Sequence, residues 1–213
     1  MIELDQIDRK AASVLEGYLV RKDLVRTFSR QFPVPTYVVE FMLGRYCAST
    51  VQEEIDEGLE IVQRQLKSRT IKAGEEELFK ARALETGEVK IIDLITARVD
   101  NKGEYVASLP SLRLNDVRIS SDLVNQHERM LTGGFYAELG VTFDVAIAQE
   151  SKGRPFGITS LREIQLSKAN VLQILSRGRS LFTFDEWRSF LLRSIGLEPA
   201  VMSERTRDVM LLR

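Results

Sequence analysis

The chain has 213 residues, 44% of them hydrophobic and 29% charged, and a formal net charge of −1. These are the proportions of a soluble globular protein with one large domain or two small ones, and they leave any nucleic-acid contact to a local patch. A single cysteine, Cys47, excludes an intramolecular disulfide and a cysteine-cluster metal site. No apolar run is long enough to span a membrane and the N-terminus has no signal-peptide core, so a cytoplasmic chain without membrane partners is expected.

Residues 1–87 read as a helical subdomain. Ile7, Ala11, Val14, Leu15 and Tyr18 recur at helical spacing. A second short helix starts in the run 20–25 and ends before Pro33. Pro35 suits the first turn of a third helix over 36–48. That helix is apolar nearly all round, so Tyr37, Val38, Phe41, Met42 and Tyr46 are the expected centre of the bundle, with Cys47 beside them. Ser49 or Thr50 with Glu53 forms a capping box for a fourth helix to about residue 68. Glu53, Glu54, Asp56 and Glu57 crowd its first turns, where the helix dipole favours anions. They read as a solvated helix start rather than a divalent-metal site, and no metal site is assigned. A fifth helix over 74–85 leads through Gly87 into the next region.

Residues 88–168 read as five strands. The run 89–99 is apolar on both faces. Val89, Ile91, Ile95, Ala97 and Val99 share one face, with Ile92 and Leu94 on the other. A turn at 100–103 follows, where Asn101 and Gly103 are the residues suited to positive φ. Tyr105, Ala107 and Leu109 alternate as a returning strand, and a short third strand fits 117–120. Residues 121–131 read as one helix, capped by Ser120 or Ser121 and stopped by Gly133 and Gly134. Then Phe135, Ala137, Leu139, Val141, Phe143 and Val145 alternate without a miss. A loop over 149–155 precedes a last strand over 156–165. Strand, strand, strand, helix, strand, strand is the order of an OB-fold, a five-stranded antiparallel β-barrel with one helix between strands 3 and 4. The alternative is an unrelated antiparallel sheet with one packed helix.

Residues 169–213 read as C-terminal helices, so the fold class is α+β. A helix over 166–175 gives way to a basic turn at 176–180. Thr183 and Glu186 form a capping box for a helix with Trp187, Phe190 and Leu191 on its apolar face. A last helix begins near Ser203 and runs apolar up to Arg213. That ending is expected of a chain cut from a longer protein; a final helix packed on the body is the alternative. No phosphate loop and no dinucleotide fingerprint occurs. His127, the only histidine, sits in a polar stretch where surface or helix packing is its expected role. No catalytic residue is assigned.

Four segments together carry a resemblance: 20–25, 34–49, 127–134 and 184–199. They include Val-Pro-Thr-Tyr-Val-Val-Glu-Phe-Met-Leu-Gly-Arg-Tyr-Cys-Ala-Ser and Phe-Asp-Glu-Trp-Arg-Ser-Phe-Leu-Leu-Arg-Ser-Ile-Gly-Leu-Glu-Pro. In this order they resemble the N-terminal region of the BrxL family, the Lon-like proteins of BREX phage-defence systems. The resemblance implies a longer protein that continues into an AAA+ ATPase module and a Lon-protease-like domain. It also implies assembly as a homo-oligomeric ring that can enclose DNA, in a layout similar to minichromosome maintenance helicases. Those helicases carry a cysteine-rich zinc motif here, and Cys47 alone cannot supply one. ATP and Mg are expected only for the longer protein, and no cofactor for this chain. Residues 1–87 then form the helical subdomain, 88–168 the OB-like barrel, and 169–213 a helical linker towards an ATPase module beyond the chain.

Two functions follow as expectations. One is a DNA-binding and ring-assembly region. The other is a protein-interaction module that docks other BREX components without touching DNA; a stand-alone enzyme is a weaker third. OB-folds bind through the loops joining strands 1–2 and 4–5. Those loops carry Lys102, and Lys152 with Arg154, so these three residues are expected to meet the phosphates of double-stranded DNA without sequence preference. Arg177 and Arg179 are expected to help. Tyr105 and Tyr136 are the candidate platforms for stacking single-stranded bases.

Overall fold

The computed structural model describes residues 5–15, 19–47, 49, 51–150, 153–164 and 171–212. It is a mixed α+β structure: helices, a five-stranded sheet, and helices again. Helices α1 (Gln6–Val14), α2 (Lys22–Ser29), α3 (Thr36–Tyr46), α4 (Gln52–Arg69) and α5 (Glu76–Thr86) come first. Strands β1 (Glu88–Val99), β2 (Tyr105–Leu109) and β3 (Leu114–Arg118) lead to helix α6 (Ser121–Gln126). Strand β4 (Phe135–Phe143), the short helix α7 (Val145–Ala148) and strand β5 (Phe156–Glu163) complete the sheet. Helices α8 (Val171–Ser180), α9 (Phe184–Ser194) and α10 (Glu204–Leu211) close the chain. No described helix is long and apolar enough to cross a membrane.

The chain divides into two compact units. One comprises Met1–Leu24, Met42–Glu60 and Ser167–Arg213, and the other Val25–Phe41 and Ile61–Leu166. In the first, Asp5 caps α1 by accepting the amides of Ile7 and Asp8 at 2.9 and 3.0 Å. Arg193 of α9 reaches Asp5 at 2.7 Å and Asp8 at 3.1 Å, and Lys10 meets Glu186 at 2.6 Å. Thr183 and Glu186 form the expected capping box of α9.

The second unit holds the sheet. Its order is β1-β2-β3-β5-β4, closed through the β1–β4 pairing. Strand β1 serves two neighbours in succession. Its residues 88–95 pair with β4, and residues 96–99 pair with β2. Ile91, Ile92 and Asp93 are buried in a row, so both faces of β1 are covered there. The core gathers Ile91, Ile95, Leu109, Val117, Phe135 and Leu139 with Phe79 of α5. The single parallel pairing, Arg118 with Gly157 between β3 and β5, corrects the all-antiparallel expectation. Five strands closed in a ring cannot alternate in direction throughout, so one pair must run parallel.

Several boundaries differ from expectation for local reasons. The third strand starts early, at Leu114, because Arg113 takes a left-handed conformation (φ 53°) after a 3-10 turn over Pro110–Leu112. The helix expected over 121–131 breaks at His127 and continues as a 3-10 turn, Glu128–Thr132. Strand β4 ends at Phe143, because Asp144 caps α7 through the amides of Ala146 and Ile147 at 3.0 and 3.2 Å. Helix α8 runs straight through the expected basic turn. Gly178 there serves close packing: a Cβ would lie 2.7 Å from Leu15 Cδ2. In α3, Val38, Val39, Met42 and Leu43 are fully buried, whereas Tyr37, Phe41 and Tyr46 are half-buried. Tyr37 meets Tyr136 edge-on, and Phe41 lies under Arg162 at 5.9 Å. In α9 the fully buried side chain is Leu192. Tyr18, Ala48, Thr50, Gln165, the helix start expected at 166–170 and Arg213 lie outside the described residues.

Candidate nucleic-acid interface

The loops joining β1–β2 and β4–β5 are bound to one another. The first, residues 100–104, is built on Asp100. Its Oδ1 accepts the amides of Lys102 at 2.8 Å and Glu104 at 2.9 Å. Its own amide donates to the Glu104 carbonyl at 2.9 Å, and Gly103 takes the positive φ (81°) that the turn needs. The second loop ends at Gly153, Arg154 and Pro155. The Asp144 amide donates to the Pro155 carbonyl at 2.9 Å. Arg118, at the end of β3, donates from Nε to the Arg154 carbonyl at 2.7 Å and from Nη2 to that of Pro155 at 3.4 Å.

Arg154 joins the two loops. Its Nη2 pairs with Asp100 Oδ2, its Nη1 with Glu104 Oε2 at 2.9 Å and its Nε with Asp116 Oδ2 at 3.0 Å. Each nitrogen of the guanidinium therefore ends on a different carboxylate, the fork geometry that suits arginine and not lysine. The hydrogen bond from Arg154, aided by the Glu104 and Lys102 amides, holds the Asp100 carboxyl at about 2, below its ordinary 3.8. Asp100 and Asp116 in turn push the Arg154 guanidinium further up. Asp116 also touches Arg98 Nη2 at 3.3 Å, and Asp144 lies 3.8 Å from Arg118. This end of the sheet thus sets Arg98, Lys102, Arg118 and Arg154 among Asp100, Glu104, Asp116 and Asp144. Its field is balanced rather than strongly positive.

The other expected contacts are distributed elsewhere. Lys102 is exposed at its loop tip, and Lys152 lies outside the described residues. Arg177 is exposed in the last turn of α8. Arg179 donates to the Phe182 carbonyl at 2.9 Å and lies over the Trp187 ring. The structure therefore brings Lys102 and Arg154 onto one loop pair, while Arg177 and Arg179 belong to the other unit. Tyr105 packs against the sheet core, and burial raises the Tyr136 phenol, which sits against Tyr37. Neither offers a free stacking face.

Sequence reasoning missed Arg98, Asp116 and Arg118. Arg98 pairs with Val106, which pairs with Arg118, so the two arginines flank one position of β2. The signal was the charged residues interleaved with Ala97 and Val117 on strands whose other face is apolar. It also missed Asp93, which points inward and accepts Ser111 Oγ at 2.7 Å, the Ser111 amide at 3.0 Å and the Leu94 amide at 2.8 Å. Burial raises its carboxyl pKa. His127 Nδ1 lies 3.6 Å from Glu163, which also takes Arg129 at 2.5 Å, and its ring lies against Phe135. That is the helix-packing role. Cys47 is buried, and burial pushes its thiol up to about 11, so it is an inert core residue.

Residues 13–143 match the N-terminal family model of the BREX system Lon protease-like protein BrxL. The chain belongs to the BrxL family. Residues 156–213 match a second model, the ATPase domain of Lon-like BrxL-like proteases. The start of the BrxL ATPase match thus falls at β5 and includes α8, α9 and α10, with Arg154 just ahead of it. Among curated proteins, the chain is similar to Lon-like protease BrxL of Escherichia coli O9:H4 (strain HS), at 34% identity over 192 residues, covering 90% of this chain and 27% of that protein. It is also similar to Lon-like protease BrxL of Bacillus cereus (strain H3081.97), at 31% identity over 206 residues, covering 96% of this chain and 30% of that protein. The chain spans less than a third of the length of either BrxL relative.

Proposed function

We propose that this chain is the N-terminal region of a BREX phage-defence protein, and that it contacts duplex DNA without sequence preference within a homo-oligomeric ring. The observation that carries this reading is the match of the chain, along nearly its whole length, to the two BrxL family models. The sheet reads as an OB-like barrel: its strand order closes, and α6 stands between β3 and β4. In such a fold the loops 100–104 and 144–155 form the binding edge. Packed surroundings at Tyr105 and Tyr136 favour duplex over stacked single strands. Several copies of a modest cationic edge around one duplex add by avidity. ATP and Mg serve the ATPase domain of the longer protein, whose family match begins within this chain at residue 156.

A second reading has a specific observation behind it. The carboxylates at the loop pair match its cations, which suits a module that docks another protein of the defence system. Fluorescence anisotropy with a random-sequence duplex at graded salt separates the two. Phosphate contact gives an affinity that falls steeply and linearly in log–log form as salt rises. Absence of binding, or binding without a salt slope, would overturn the DNA reading and leave the docking one.

A further inference from the structure

Every nitrogen of the Arg154 guanidinium is already committed to a carboxylate, and its side chain is only 20% exposed. Three of its N–H groups are thus engaged by carboxylates on two segments, so a phosphate would compete with charge-assisted hydrogen bonds already made. Arg98 is in the opposite condition. Its side chain is 55% exposed, and its nearest acceptors are Asp116 at 3.3 Å and the Asn115 carbonyl at 3.4 Å, both at the long end of hydrogen bonding. Lys102 stands exposed on the loop that Asp100 shapes.

We propose that Arg154 is a positioning residue, and that Arg98 and Lys102 are the cations that meet DNA phosphate at this end of the sheet. The inference rests on the DNA reading above. Arg154 acts in two ways. Through Asp100 it fixes the loop that carries Lys102. Through Asp100, Glu104 and Asp116 it masks three negative charges that would otherwise repel a phosphate and, at Asp116, quench Arg98. Arg118 supports it from below by holding the Arg154 and Pro155 carbonyls.

The test uses the full-length protein, a random-sequence duplex and affinity measured across a salt series. Arg98→Gln and Lys102→Gln should each reduce the log–log salt slope by about one. Arg154→Lys, which keeps the charge but loses the fork, should weaken binding as much as Arg154→Gln. Both Arg154 variants should speed amide exchange at Lys102 and Glu104. If Arg154→Lys binds like the parent while Arg154→Gln loses about one unit of slope, Arg154 is itself a contact and the proposal is overturned. Unchanged slopes in Arg98→Gln and Lys102→Gln, with the parent still binding DNA, overturn it too and spare the DNA reading. A parent that shows no salt-dependent binding overturns both.

Discussion

Asp100 is the acid on which the loop pair turns. Its folded carboxyl is held at about 2, below the ordinary 3.8, chiefly by the Arg154 hydrogen bond and then by the Glu104 and Lys102 amides. A depressed carboxylate contributes stability that is present above the unfolded value and is lost as pH falls through the folded one. The loop contribution should therefore be intact above about pH 4 and vanish towards pH 2. Carboxyl-carbon NMR should place the Asp100 midpoint near the low value, and Arg154→Gln should return it towards the ordinary range. An Asp100 midpoint unmoved by that substitution would dissociate the two groups. The two loop cations themselves were legible in the sequence, because Asn, Gly and Pro marked the turns that carry them. Their partnerships were not. Arg154 lies 54 positions from Asp100 and 38 from Asp116, and only the strand register brings those segments together.

Among the elements, α4 shows a helix giving up intrinsic propensity for contact. Gly58 stands in its middle, where alanine would gain about 1 kcal/mol of helix propensity. A Cβ there would lie 2.0 Å from the Tyr46 carbonyl oxygen and 3.0 Å from Cys47 Sγ. Backbone cannot yield as a flexible side-chain tip does, and overpacking costs about 1–3 kcal/mol. Gly58→Ala should therefore lower the urea midpoint, and a raised midpoint would mean that the approach is looser than the structure has it. The long alternating runs were the most legible elements: β4 and the two-sided β1 follow directly from their periodicity. Element ends were less so. Asp144 ends the alternation by capping α7, Arg113 starts β3 early, and His127 splits one expected helix in two. In each case a local hydrogen bond or backbone conformation won over side-chain pattern. The α3 core was half legible: a helix apolar all round does not say which side is deepest, and Phe41 and Tyr37 proved to be its flanks.

Across the whole molecule, stability is unevenly spread. Ile91, Ile92 and Ile95 of β1 are each at most 1% exposed, whereas α10 buries none of its residues. Opening free energies follow such differences. Hydrogen exchange should be slowest at the β1 amides paired to β4 and fastest, among the helices from α8 onward, in α10. Protection of Val209 and Met210 equal to that of Ile91 would contradict this ordering. The strand count and the place of α6 were legible in the sequence. The division into units was not, because the first unit draws on both ends of the chain and the segments of the two interleave.

The ring of strand pairings has a consequence for how anything can bind here. Each of the five strands has a neighbour on both sides. The closure is partial, for residues 88–95 of β1 pair only with β4, and β5 meets β3 at a single pair, so strand augmentation, a common way for domains to capture extended segments, is restricted to those stretches. At the seam, β3 and β5 share the single pairing Arg118 with Gly157. Arg118 lies at that seam, and the same side chain that holds the Arg154 and Pro155 carbonyls thereby ties β3 to the start of β5.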